Sequence, residues 1–380
     1  MTTIIHLADR HLGRAAFGKT TEDGSNLRET LIYENALEGT DVIIKERPDV
    51  VVDAGDGYDT VKPKTKAQVV YLEILERFQD AGIQVVMICG NHDMQKNAHT
   101  TSPLEILQRA HPEVHFAYSF KYERFEIGDT IYHCIPNMLH PADYVKAAKE
   151  IKMSTNHNNV LVTHGLASTI KDKRLSTVAE FEIPAELAND ESFDVQMYGH
   201  YHARERVGPR SWYSGSQEHL TYGEIHDLKG ALKIDPGRQT VDPLPLPCSR
   251  MIDLGTLDCY ARPNEAISAS LISVFEANLS EGDMAQITLD FGTDLVRTLP
   301  DEYLNGWREA LLDLKIRVRS QETGRQCIQQ QDLHAINYVD AWNQFMGPQY
   351  PLSETLRAIV QQKGSETLKT VMANHREETA

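Results

Sequence analysis

An α/β fold is expected from this sequence, and two patterns over residues 1–240 lead to it. Short apolar or β-branched runs alternate with segments whose apolar residues recur every three or four positions. That alternation is the mark of a sheet flanked by helices. Several of the apolar runs also stop at Asp, Asn or His. Polar side chains at those points would sit at the carboxyl ends of strands, where open α/β sheets carry their sites.

The elements follow in order. Thr3–Ala8 reads as a first strand ending at Asp9. Asn26–Glu46 has helical periodicity. Val50–Val52 is a β-branched strand that runs into Asp53 and Asp56. Thr65–Ala81 is helical, with Val69, Leu72, Leu75 and Phe78 as its expected apolar stripe. Gln84–Cys89 is a strand leading into Gly90-Asn91-His92-Asp93. Later strands are expected at Ile131–Ile135, Val160–Thr163, Val195–Tyr198, Ser211–Ser214 and Ala231–Ile234. Fewer helices separate them, which suggests a second, more antiparallel sheet.

Asp242-Pro-Leu-Pro-Leu-Pro247 resists helix and central-strand pairing, so a first domain is expected over 1–241. Beyond it come a strand at Met251–Asp253, a helix at Asn264–Asn278, a strand at Ala285–Phe291, a helix at Pro300–Leu314 and a strand at Lys315–Arg319. This small β-α-β-α-β unit is assigned to 248–325. The remainder, 330–380, is a helical tail. Within it, Tyr338–Met372 is divided by Gly347-Pro348, and Leu352, Leu356, Ile359 and Val360 fall at helical spacing. So short a segment cannot build its own core and is expected to dock on something.

Composition narrows the setting. The five cysteines are odd in number and form no C-x-x-C, which argues against a disulfide framework and for a reducing compartment. The start, MTTIIHLADRHLG, lacks a basic n-region and reads as a strand rather than a signal peptide. No apolar stretch is long enough to span a bilayer. The expectation is a soluble, cytoplasmic protein without a membrane association. The formal net charge of −17 is unusual for a nucleic-acid binder, but binding is local. Basic residues gather after three motifs: Lys62, Lys64 and Lys66; Lys171, Lys173 and Arg174; Arg204, Arg206 and Arg210. Any one cluster alone reads as solvated loop charge; three of them, each just after a metal motif, leave that reading open beside a phosphate-facing rim.

The chemistry is concentrated in Asp9, His11, Asp56, Asn91, His92, His164, His200 and His202. Oxygen and nitrogen donors without a thiolate suit hard or borderline divalent metals. A two-metal hydrolase needs a bridging carboxylate and terminal donors on each ion. Asp56 is the natural bridge. Asp9, His11 and His202 would complete one metal; Asn91, His164 and His200 the other. In extended backbone, residues two apart project to one side, so Asp9 with His11 and His200 with His202 could each address one cluster. Gly55, Gly90 and Gly199 precede donors, where glycine permits tight turns. His92 is assigned as the acid for the leaving oxygen. Asp93 is assigned beside it, to hold the tautomer of His92 or of a ligand histidine. A lone histidine is usually structural, and most of the sixteen carry no assignment.

In their order, D-x-H, G-D, G-N-H-D, H and G-H-x-H, these motifs resemble the calcineurin-like metallophosphoesterases. Within them the chain is most similar to the Mre11/SbcD DNA-repair nucleases. HLADRHLG, GDGYD without a following Arg-Gly, GNHD with Asp93, and YSGSQEHLTYGE (Tyr213–Glu224) carry that likeness. The resemblance implies a four-layer α/β/β/α sandwich, with 248–325 as a small α+β DNA-capping domain and 330–380 as a segment clasping a Rad50/SbcC-type coiled-coil ATPase. It implies a homodimeric DNA exonuclease and endonuclease with two divalent metals, Mn²⁺ or alternatively Mg²⁺. Two departures stand out. Gly57 occupies a position where a bulky apolar residue is usual, which should loosen the packing behind Asp56. Gln217 stands at an otherwise variable position. The competing readings are another phosphoesterase of the same superfamily, either a phosphodiesterase acting on nucleotides or other small phosphodiesters or a phosphoprotein phosphatase, against which the motif differences argue, and a non-enzymatic metal-bound scaffold. Intact His92 argues against the scaffold.

Overall fold

The computed structural model describes residues 2–94, 101–170, 182–292, 299, 304–320, 342 and 354–378. The chain forms two compact units, Met1–Ser320 and Gln321–Ala380.

In the first unit the elements are β1 (Ile4–Leu7), α1 (Leu27–Lys45), β2 (Val50–Asp53), α2 (Thr65–Asp80), β3 (Gln84–Ile88), α3 (Leu104–Ala110), β4 (His115–Ala117), β5 (Glu123–Ile127), β6 (Thr130–Ile135) and α4 (Pro141–Lys149). There follow β7 (Asn158–His164), β8 (Leu166–Ala167), β9 (Glu182–Ile183), α5 (Ala185–Ala188), β10 (Val195–Gly199), β11 (Glu205–Arg206), β12 (Ser211–Tyr213), β13 (Ala231–Asp235) and β14 (Thr240–Leu244). The first large sheet has the order β14-β13-β1-β2-β3-β4 and the second β11-β12-β10-β7-β6-β5.

Strand alternation builds the layers. On β1 and β2, Ile5, Leu7 and Val51 face one way and pack with Ile32, Ile43, Ile74 and Phe78 of α1 and α2. Ile4, Val50 and Val52 face the other way and meet Tyr132, Val160, Val162 and Met197 of the second sheet. The far side of that sheet, with Leu161, Tyr198 and Tyr213, packs on Tyr144 of α4 and Leu187 of α5. Period-two burial on both faces therefore yields helix, sheet, sheet and helix layers, the four-layer α/β/β/α arrangement.

Three expectations need correction. The second sheet is not the more antiparallel one. Its centre pairs in parallel with antiparallel edges, and the first sheet has the same mix. The apolar face of α2 is turned from the expected stripe. Ala67, Val70, Tyr71, Ile74, Leu75 and Phe78 are buried, whereas Val69 is 49% exposed. Tyr71 decides the rotation, because its hydroxyl donates to Asp53 Oδ2 at 2.6 Å beneath the ligand loops. The proline-rich run also begins inside the first sheet. Pro243 lies in β14, an edge strand where its missing N–H is tolerated.

After that run come β15 (Met251–Asp258), α6 (Asn264–Asn278), β16 (Met284–Asp290), α7 (Asn305–Ala310) and β17 (Asp313–Arg319). The strands form a parallel sheet, β15-β16-β17, over its own core of Ile267, Leu271, Phe275, Ile287 and Leu289. The helix expected through Leu314 stops at Ala310, since Leu314, Ile316 and Val318 alternate as strand residues. The second unit contains α8 (Glu354–Glu378), with the Trp342 indole N–H donating to the Gln361 carbonyl at 3.0 Å. Leu356 and Ile359 are exposed on α8; Gly347-Pro348 lies outside the described residues. Among the described residues no helix is long and apolar enough to cross a membrane.

One buried group sets a pH limit. His6 on β1 is fully buried, and burial lowers its pKa to about 3 against a hydrogen bond at Tyr198 that raises it. The unfolded chain binds this proton below about pH 6.5 and the folded chain does not. Folding stability is therefore intact above that pH and falls with acidification until about pH 3, at about 1 kcal/mol per pH unit once the window is entered. Denaturant titrations at pH 7, 6 and 5 should show that slope, and His6→Leu should reduce it by close to one proton. An unchanged slope in the variant would refute this assignment.

Candidate metal centre

The donors come together at the carboxyl ends of β1, β2, β3, β7 and β10. They are not held by extended backbone, as their spacing suggested. Asp9, His11, Asp56 and His200 have φ of 55°, 48°, 55° and 102°, in the left-handed region. Such conformations cost of order 1–3 kcal/mol each in non-glycine residues and persist only where the surroundings impose them. Here the loops after β1 and β2 impose them by pairing. Asp9, His11 and Leu12 donate their N–H groups to the carbonyls of Gly55, Asp56 and Gly57 at 2.9, 3.0 and 2.9 Å.

Two sub-clusters result, each with ligand atoms within 4.8 Å of one another: Asp9, His11 and His202; and Asp56, His164 and His200. His11 Nε2 lies 3.2 Å from His202 Nε2. Asn91 Oδ1 joins the second group, 3.1 Å from His164 Nε2 and 2.9 Å from His200 Nδ1. Asp56 lies between them, its Oδ2 3.4 Å from His164 Nε2 and 3.9 Å from His11 Nε2. His11, Asp56 and His92 form a third close group.

Backbone and carboxylate partners fix these side chains. His164 Nδ1 donates to the Ala54 carbonyl at 2.7 Å, which leaves Nε2 facing the cluster. The His200 N–H donates to both Asp9 oxygens, at 2.9 and 3.1 Å. The His92 N–H donates to Asp56 Oδ1 at 2.8 Å, and its Nδ1 to the Asp59 carbonyl at 2.6 Å. Gly90 is required for close approach: a Cβ there would stand 2.0 Å from Asp56 Oδ1. Gly57 does not leave a void. A Cβ on it would lie 2.5 Å from the Tyr71 ring, so Tyr71 from α2 fills the space that a larger side chain would occupy.

Asp93 does something other than what the sequence suggested. Its carboxylate accepts the N–H groups of Gly57, Tyr58 and Gly90 at 3.1, 2.9 and 3.2 Å. It therefore ties the Asp56 loop to the Asn91 loop, and the tautomer of His92 is set by the Asp59 carbonyl instead. Three further residues escaped the sequence reading. Asp59 Oδ1 lies 3.3 Å from His11 Nδ1. Glu224 Oε1 lies 3.2 Å from His202 Nδ1, and Lys229 pairs with Glu224 at 2.7 Å. Asp59 is the last letter of GDGYD and Glu224 ends YSGSQEHLTYGE, but nothing in those strings says which histidine each one meets. Gln217 ties the Asn35 and Pro247 carbonyls together at 2.7 and 2.9 Å.

The electrostatics suit a cation. Burial alone would raise the Asp56 pKa, but His164, His11 and His92 around it hold it well below the usual carboxylate range. Burial would lower His164, yet the Asp56 charge outweighs it and raises the imidazole to about 9. The centre thus stabilises positive charge between a buried carboxylate and an imidazole, and the O/N donor set fits hard or borderline divalent ions. The basic rim is less well supported. Arg204 donates to the Lys229 carbonyl and Arg210 to the Phe193 carbonyl, both at 2.9 Å, and Arg206 donates to Gly208 and Pro209 and stacks on Trp212. Lys64 pairs with Glu29, and Lys171, Lys173 and Arg174 lie outside the described residues.

With this geometry, residues 2–204 match the calcineurin-like phosphoesterase family. The chain is 28% identical over 244 residues to the DNA double-strand break repair protein Mre11 of Methanopyrus kandleri, covering 60% of this chain and 51% of that protein. It is 26% identical over 280 residues to the Mre11 protein of Saccharolobus solfataricus, covering 70% and 66%. It is 39% identical over 103 residues to the SbcD component of the SbcCD nuclease of Bacillus subtilis, covering 27% and 24%. The matches thus span between about half and two thirds of the two Mre11 proteins.

Proposed function

This chain belongs to the calcineurin-like phosphoesterase family, and from that premise we propose that it is a two-metal phosphodiesterase that cleaves DNA. The observation that carries the reading is the convergence of Asp9, His11, Asp56, Asn91, His164, His200 and His202 around one carboxylate, with His92 beside them. Asp9, His11 and His202 would hold one divalent ion, Asn91, His164 and His200 the other, and Asp56 would bridge. Bound there, the two ions supply Lewis acidity, a lowered pKa for water and charge compensation at the oxygens of an in-line displacement.

The chain's own residues do the rest. The Asp59 carbonyl accepts the His92 Nδ1 proton, so Nε2 is the nitrogen that gives a proton to the leaving oxygen. Asp93 keeps the Asp56 and Asn91 loops in register. The names of the similar proteins, a DNA double-strand break repair protein and a subunit of the SbcCD nuclease, support DNA as substrate and an SbcC-type partner. Residues 248–325 as a capping domain and residues 330–380 as the contact for a Rad50/SbcC-type coiled-coil ATPase extend the same reading. Mn²⁺, with Mg²⁺ as the alternative, a homodimer and a cytoplasmic setting complete the proposal.

The net charge of −17 and the use of Arg204, Arg206 and Arg210 on backbone carbonyls favour a second reading, a phosphodiesterase for nucleotides or other small phosphodiesters. One assay separates the two. Purified protein with Mn²⁺ and end-labelled linear DNA should release nucleotides, and a chelator should stop it. Turnover of bis(p-nitrophenyl) phosphate without DNA cleavage would select the small-substrate reading. Turnover of neither would overturn both.

A further inference from the structure

His202 is a ligand candidate that packing alone does not fix, with its side chain 27% exposed, and a network of hydrogen bonds supports it instead. Glu224 Oε1 faces its Nδ1, and the rest of that carboxylate is fully engaged. Oε1 also accepts the Thr221 hydroxyl at 3.2 Å; Oε2 accepts the Leu220 N–H at 3.1 Å and Lys229 at 2.7 Å. Lys229 is buried to 2% side-chain exposure. Its three donor directions are all used here, on Glu224, on Ser216 Oγ at 2.8 Å and on the carbonyl of His202 itself at 3.0 Å. One ammonium therefore braces both the backbone of the histidine and the carboxylate that sets its ring.

Glu224 sits in a 3₁₀ turn, Tyr222–Glu224. At the other end of that turn, the Tyr222 hydroxyl lies 2.7 Å from Asp313 Oδ2 and 3.0 Å from the Ala285 carbonyl, on β17 and β16. The Lys315 ammonium stands 5.0 Å over the Tyr222 ring, and Phe17 packs edge-on at 6.2 Å. Three consecutive residues thus connect the small parallel sheet to the ring of His202.

We propose that Glu224 and Lys229 are positioning residues that orient His202 toward the ion shared with Asp9 and His11, and that Tyr222 couples this orientation to the small sheet. The proposal rests on the two-metal reading. It predicts a selective effect, because the contacts described for Asn91, His164 and His200 run to one another and to Ala54, Asp9 and Asp56. A partner that fixes a ligating histidine is worth about 10- to 100-fold in metal affinity.

The test is Mn²⁺ titration of the full chain by calorimetry, with electron paramagnetic resonance of the loaded protein. Wild type should bind two ions and give the signal of a coupled pair. Glu224→Ala should weaken one site by about 10- to 100-fold and show uncoupled Mn²⁺ at the same loading, with the other site unchanged. Glu224→Gln, nearly the same shape, and Lys229→Met should weaken the same site less. Tyr222→Phe, which keeps the ring, should weaken it several-fold. Unchanged affinities in the Glu224 and Lys229 variants, or equal loss at both sites, would overturn the positioning role. Unchanged binding in Tyr222→Phe alone would overturn the coupling to the sheet. Wild type that binds no Mn²⁺ would overturn the two-metal reading itself.

Discussion

Replacement of His92 by alanine is expected to lower metal-dependent phosphodiester cleavage by about two to four orders of magnitude, the usual contribution of a positioned general acid, while two ions still bind. The substitution is clean for a structural reason. The contact that His92 makes to the bridging carboxylate comes from its backbone N–H, 2.8 Å from Asp56 Oδ1, and alanine retains it. What is lost is the imidazole, whose Nδ1 is committed to the Asp59 carbonyl at 2.6 Å and whose Nε2 is then the only nitrogen able to reach a leaving oxygen. A substrate with a good leaving group needs no proton there, so the variant should be far less impaired on bis(p-nitrophenyl) phosphate than on DNA. Initial rates on both substrates at saturating Mn²⁺, with calorimetry for stoichiometry, check this. Equal impairment on the two substrates would remove His92 from the acid role, and equal cleavage by variant and wild type would remove it from the mechanism.

Much of this centre is legible in the residues alone, because strand ends and donor residues coincide along the chain. Asp9 follows β1, Asp56 follows β2, Asn91 follows β3, His164 ends β7 and His200 follows β10. The layered fold is legible for a related reason: runs such as Val50 to Val52 are apolar on both faces and must be covered on both. What stays hidden depends on contacts between distant segments. The left-handed Asp9 and Asp56 are imposed by hydrogen bonds between two loops, and no local propensity announces them. Asp93 sits next to His92 in sequence, yet its three backbone partners come from both sides of the centre. Gly57 reads as a packing defect until Tyr71, about fourteen positions on, is placed against it. The buried face of α2 departs from its apolar stripe because of that same residue, since a tyrosine whose hydroxyl reaches Asp53 outweighs the exposed Val69.

Asp56→Asn should have the larger effect of the two, below the residual rate of His92→Ala, because it acts on both halves of the donor set. The amide keeps the size of the carboxylate and can still accept the His92 N–H through Oδ1. It removes only the charge that both clusters share, with His164 at 3.4 Å on one side and His11 at 3.9 Å on the other. Calorimetry should therefore find at most one Mn²⁺, bound more weakly, in a protein whose loops are intact. The chelated protein offers an independent check. His164 has a folded pKa of about 9, above its unfolded value near 6.5. The stability contributed by its pairing with Asp56 is fully present below about pH 6.5 and lost as pH rises through about 9, a change of a few kcal/mol. Asparagine removes the larger of the two carboxylate charges that raise His164, Asp9 being the other, so this alkaline loss should shrink in urea titrations of the variant in chelator. That sign is opposite to the His6 effect, which appears only on acidification, so one pH series separates them. If Asp56→Asn instead bound two ions as tightly as wild type, the two clusters would be holding their metals independently. Asp56 would then serve the His92 loop alone, through Oδ1, and the bridge would have to be abandoned.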